Sequence, residues 1–154
     1  MPRQNTRNES EGAEFLVLGH LLIAGVPAFK AYSYTPAYDV VATDPARHTS
    51  ARISVKSRWA TGAPGFICKR FDCDFVVIVK LNRGSKDGRR KVGEPEFFVV
   101  PAKTLEAVPR SAKWNKIHFR DIPNFESYRN RWESVREFLK SPDADRALTS
   151  EIPT

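Results

Sequence analysis

Tyr38-Asp39-Val40-Val41-Ala42, the turn Thr43-Asp44-Pro45-Ala46, and Ala51-Arg52-Ile53-Ser54-Val55-Lys56 decide how the rest of the chain reads. Two runs rich in β-branched residues, joined across Asp-Pro, predict a pair of antiparallel strands. Side chains alternate along a strand, so Ser54 and Lys56 share one face of the second strand while Ile53 and Val55 take the other. Arg52 and Arg58 fall on the Ser54 face as well, a row of cations suited to a phosphate backbone. Asp39 opens the first strand, and strand pairing brings its carboxylate toward Ser54 and Lys56. This places a carboxylate and an ammonium together. They form either a chemical site or a partly buried salt bridge that locks the two strands.

Upstream, the chain predicts an amphipathic helix that follows Asn8, reaches Ala24 and stops at Gly25 and Pro27. Asn8 and Glu11 have capping-box spacing. Glu14, Leu18, Leu21 and Leu22 fall at i, i+4, i+7 and i+8, so the glutamate rides the apolar stripe. It is either an acid favoured near a helix N-terminus or a site residue. Val26 to Tyr34 supplies a further strand, which completes a three-stranded meander for the helix to cover.

The ordered set Glu14, Asp39, Ser54-Val55-Lys56, followed by the apolar strand Phe75-Val76-Val77-Ile78-Val79, resembles the PD-(D/E)XK nuclease superfamily. The likeness is to its restriction-endonuclease-like branch of Holliday-junction resolvases and small homing endonucleases. It implies an α/β (α+β) fold with an αβββ(α)β core, a mixed central sheet flanked by helices. It also implies catalytic positions at Glu14, Asp39, Ser54 and Lys56. Mg²⁺ or Mn²⁺ would be held by Asp39, by Glu14 and by the backbone carbonyl of Val55. Ser54 stands where the pattern has Asp or Glu; some homing-type members carry Gln there. DNA as partner and a homodimer follow from the resemblance, because two strands must be cut. A nuclease-fold module that has lost its chemistry at Ser54 and only binds DNA is the alternative.

Downstream of Trp59 the loop Ala60-Thr61-Gly62-Ala63-Pro64-Gly65 is too rich in Gly and Pro for the crossover helix that the resemblance implies, and only a short turn around Phe66 to Phe71 is expected. Phe75 to Val79 reads as a strand buried on both faces. Asn82 to Pro95 reads as a basic loop, Glu96 to Val100 as its partner strand, and Pro101 to Val108 as a short helix. Trp114 to Phe119 reads as an edge strand. Pro123 to Lys140 reads as a closing helix with Phe125, Tyr128, Trp132, Val135 and Leu139 spaced by three or four. Residues 10–140 form one domain between a flexible tail, 1–9, and a solvated tail, 141–154.

The 154 residues, 41% hydrophobic and 28% charged, are sufficient for one packed core. No apolar run approaches the roughly 18 residues of a membrane span and no signal-like segment opens the chain, so a cytoplasmic protein without membrane contact is expected. Cys68 and Cys73 are too few for a disulfide framework and read as free, packed thiols. The net charge of +7 favours a polyanion. Its distribution supports this, because Lys80, Arg83, Lys86, Arg89, Arg90 and Lys91 face only Asp87 between positions 80 and 91. These six, with Arg52 and Arg58, are the expected DNA contacts. His48, in the turn, reads as a surface residue, and His20 and His118 lack any supporting cluster.

Overall fold

The computed structural model describes residues 6–32, 38–142 and 144. Helix α1 (Thr6–Ile23) precedes three strands, β1 (Ala28–Lys30), β2 (Val40–Asp44) and β3 (Thr49–Arg58), that form an antiparallel meander. The chain then passes through β4 (Gly65–Ile67) to β5 (Phe75–Lys80), which lies parallel to β3, and returns antiparallel as β6 (Glu96–Pro101). A five-stranded mixed sheet results, in the order β1-β2-β3-β5-β6. Helix α2 (Ala102–Glu106), β7 (Lys116–His118) and helix α3 (Glu133–Leu139) complete the element order, and β4 and β7 pair as a separate two-stranded ribbon.

Two apolar clusters sandwich this sheet. On one face Ala13, Val17 and Leu21 of α1 and Val135 and Leu139 of α3 pack on Ala51, Ile53, Val77 and Val99. On the other, Phe66 and Cys68 from the crossover and Ile117 from β7 pack on Val76, Ile78, Phe98 and Val100. β5 is therefore buried on both faces, as its uninterrupted apolar run predicts. Gly65 is required at the ribbon, because a Cβ there would lie 2.1 Å from the Ile117 carbonyl oxygen.

The helix–sheet layout follows the sequence reading with several differences. The buried stripe of α1 is Ala13, Val17 and Leu21, one position behind the expected one, and Leu22 is exposed. α1 also begins at Thr6, inside the expected tail, and Glu11 is drawn to Lys30. The first strand is only Ala28–Lys30, while Tyr34 lies outside the described residues, as does nearly all of the expected C-terminal tail. The crossover uses β4 in place of a helical turn, and Trp114 to Phe119 contributes β7 to the ribbon, away from the main-sheet edge.

A further difference concerns the closing helix. Residues Phe125–Tyr128 form a 3-10 turn, Arg129 bridges back to Phe98, and only Glu133–Leu139 is α-helical. Asn124 and Asn130 adopt φ of 53°, which breaks the helix twice. Phe125 stacks on Phe98 with centroids 4.1 Å apart on one side of the sheet, whereas Trp132 joins the cluster on the other. The periodic stripe thus serves two cores across the sheet edge. Trp132 also stacks on His20, whose ring lies 5.2 Å away at 3° and completes the helix–helix contact.

Candidate active site at the end of strand β2

Asp39 lies immediately before β2, at a bend. Its N–H donates to the Ile53 carbonyl at 2.8 Å, and Ile53 is also the register partner of Val40. Two residues therefore oppose one, the signature of a β-bulge, a device that re-aims a side chain. The Asp39 carboxylate turns into the strand plane and accepts the Val55 N–H at 2.8 Å. A strand residue points its N–H and C=O to the same side, so the Val55 carbonyl also faces past the end of β2 toward Asp39.

Glu14 approaches the same point from α1. It is half-buried, and its pKa is raised, first by burial and then by the negative charge of Asp39. Asp39 is itself raised by burial, while the Val55 N–H, Lys56 and Lys30 pull it down in that order without cancelling the effect. Asp39 is the shared element here. Glu14 sits on the α1 face of the sheet, and Lys56, in register with Ile78 of the second cluster, extends from the opposite face. The charge of Lys56 bears on Asp39 across the strand end.

Ser54 occupies the same face as Lys56, opposite Val76, and is only 7% exposed. The crossover covers it, bringing Cys73 against its backbone. Both cysteines are free thiols, and burial pushes the Cys73 thiol up to about 12, so it stays protonated at neutral pH. Among the described residues no group of three His, Cys, Asp or Glu side chains is placed to hold a metal ion.

Lys30 and Glu11 belong to this locus although the sequence marks Glu11 only as a helix cap and Lys30 not at all. The Lys30 ammonium pairs with the Glu11 carboxylate and stands 3.7 Å from Glu14. Burial opposes its charge, but Glu11 and Glu14 outweigh that, and its pKa is raised. One lysine in a short strand carries no periodic signal, so sequence reasoning has no handle on it.

The expected DNA contacts divide into two groups. Arg52 is engaged with Asp74, its backbone N–H donating to that carboxylate at 2.8 Å and its guanidinium Nε lying 3.8 Å from the same oxygen. Arg58 donates from Nη1 to the Gly65 carbonyl at 2.6 Å, and Arg90 to the Thr61 carbonyl at 2.6 Å. The Lys80 ammonium is seated over Phe119, Phe98 and Phe125 at 4.6, 5.2 and 5.2 Å. Arg83, Lys86, Arg89 and Lys91 are exposed. A cleft of 370 Å³ joins Thr6 and Glu9 of α1 to Arg58 and Trp59 at the end of β3 and to Lys86 of the loop. The basic loop and the start of α1 thus border one concavity. Among the described residues no helix is long and apolar enough to cross a membrane.

No family model matches the chain, and no curated protein matches it significantly. A bacterial homing endonuclease of known structure, I-Ssp6803I, is similar in fold, with a TM-score of 0.59 and 18% identity over 94% of this chain and 99% of that one. The chain thus has a mixed α+β fold of the kind that this endonuclease adopts.

Proposed function

We propose that this protein is a metal-dependent DNA endonuclease of PD-(D/E)XK type, hydrolysing phosphodiesters in duplex or branched DNA as a homodimer. The observation that carries the reading is Asp39, turned by a bulge onto the Val55 N–H and coupled electrostatically to Glu14 on one side and Lys56 on the other. Two carboxylates kept high by burial, beside a strand carbonyl, are hard oxygen donors of the kind Mg²⁺ or Mn²⁺ takes. They fit an ion that draws its remaining ligands from water and from substrate phosphate. Such an ion, when bound, polarises a phosphate and lowers the pKa of a water. Asp39 and Glu14 hold the site's negative charge. Lys56 steadies charge developing on the phosphate. Arg83, Lys86, Arg89 and Lys91 meet phosphates along the backbone. Incubation of linear, supercoiled and branched DNA with the protein and Mg²⁺ or Mn²⁺, with Lys56→Ala as control, tests the reading.

The second reading is a nuclease-fold module that binds DNA without cutting it. Ser54 favours it, because a buried neutral hydroxyl stands where the superfamily pattern has an acid. Salt-sensitive binding without cleavage under either metal selects it.

A further inference from the structure

We infer that Lys30 is the resident counter-cation of the acidic site, and that its ammonium and a divalent ion exclude one another there. The inference rests on the metal-dependent reading given above. Lys30 is the last residue of β1, and its side chain is 4% exposed. Its ammonium pairs with Glu11, lies 3.7 Å from Glu14, and lowers the pKa of Asp39, so one cation serves three carboxylates. Lys56 stands on the opposite sheet face and leaves this side to Lys30. A divalent ion drawn to Asp39 and Glu14 enters the field that Lys30 now neutralises, and like charges this close repel.

Two rings give the displaced ammonium a path. It lies 4.2 Å over Phe15 and 5.4 Å over Tyr32, residues that are 51% and 78% exposed. Lys30 therefore moves outward along aromatic faces, keeping cation–π contact as the carboxylates turn to the ion. With Ser54 contributing no charge, this arrangement holds the apo site together and sets the metal threshold.

Calorimetric titration of the full chain with MnCl₂, paired with thermal melts in EDTA and in Mn²⁺, tests this. Lys30→Met is expected to melt lower than the parent in EDTA, to recover that loss in Mn²⁺, and to bind Mn²⁺ about tenfold tighter, the scale of removing one neighbouring like charge. Lys30→Gln carries the same expectation and is the variant to use if Met unfolds the chain, while Lys30→Arg keeps parental affinity. A folded Lys30→Met or Lys30→Gln that binds Mn²⁺ no tighter than a binding-competent parent overturns the role of Lys30 alone. If parent and variants all fail to bind Mn²⁺, the metal-dependent reading falls and this inference falls with it.

Discussion

The Asp39 carboxylate takes the place of the next ladder residue of β2, accepting the Val55 N–H at 2.8 Å where the backbone of the meander stops. Replacing it with Ala leaves that N–H without its partner as well as emptying the site, whereas Asn retains an acceptor oxygen. Asp39→Ala should therefore lose about 1–3 kcal/mol in urea denaturation, and Asp39→Asn distinctly less. Equal losses would show that the hydrogen bond does not anchor this end of the sheet.

Glu14 and Asp39 both have pKa values raised in the fold, so the native state binds more protons than the unfolded chain between the ordinary values of 4.5 and 3.8 and the raised ones. Stability contributed by these groups is full below that window and is lost as pH rises through it. Glu14→Gln should accordingly raise Tm at pH 7 and flatten the fall in Tm above pH 4.5 in metal-free buffer. A parallel fall in parent and variant contradicts the assignment.

Gly65 approaches the Ile117 carbonyl so closely that a methyl group must part the ribbon. Gly65→Ala should cost about 3 kcal/mol, at the upper end of ordinary single substitutions, and this should be readable as a lower urea midpoint. A variant as stable as the parent would mean that β4 and β7 separate without penalty.

Much of this is legible in the chain because the decisive strands are long or uniformly apolar. Alternation at Ile53, Ser54, Val55 and Lys56 gives the correct faces, and the run Phe75 to Val79 marks the central strand. The closing helix misleads because helical spacing at Phe125, Tyr128 and Trp132 looks the same whether the chain stays helical or crosses an edge between two cores. Left-handed Asn124 and Asn130 decide that, asparagine being one of the few residues that enter this region readily. β4 is three residues long and is defined by its partner, so no local pattern announces it. The order of residues along the chain points to Asp39 and Glu14, while the pairing of Lys30 with Glu11 becomes visible only when β1 is laid beside α1.

Among the cations, exposure separates those available to phosphates. Replacing Lys86, Arg89 and Lys91 by alanine should weaken DNA binding similarly for unrelated sequences and reduce the slope of log affinity against log salt, by about 0.9 for each phosphate that is no longer neutralised. Lys80→Met should leave that slope unchanged, since its ammonium is occupied by three aromatic rings. A slope insensitive to the triple change would reduce the loop to a solvated hairpin.

Ser54 is buried beside the strand end, so Ser54→Glu places a second strand carboxylate near Asp39 in a site with little water. It should melt below the parent in EDTA and bind Mn²⁺ more tightly, because a carboxylate in low dielectric requires a cation. If the folded variant gains no affinity in calorimetry, Asp39 and Ser54 do not share a site.

The most direct measurement is the rate at which supercoiled and branched DNA are cut in Mg²⁺ or Mn²⁺ by the parent and by Asp39→Asn, which keeps an acceptor for Val55 while removing the charge. Metal-dependent cleavage by the parent and its loss in Asp39→Asn, with DNA binding retained in both, is the predicted result. Cleavage by Asp39→Asn at the parental rate, or a parent that binds DNA and cuts none with either metal, would contradict the account.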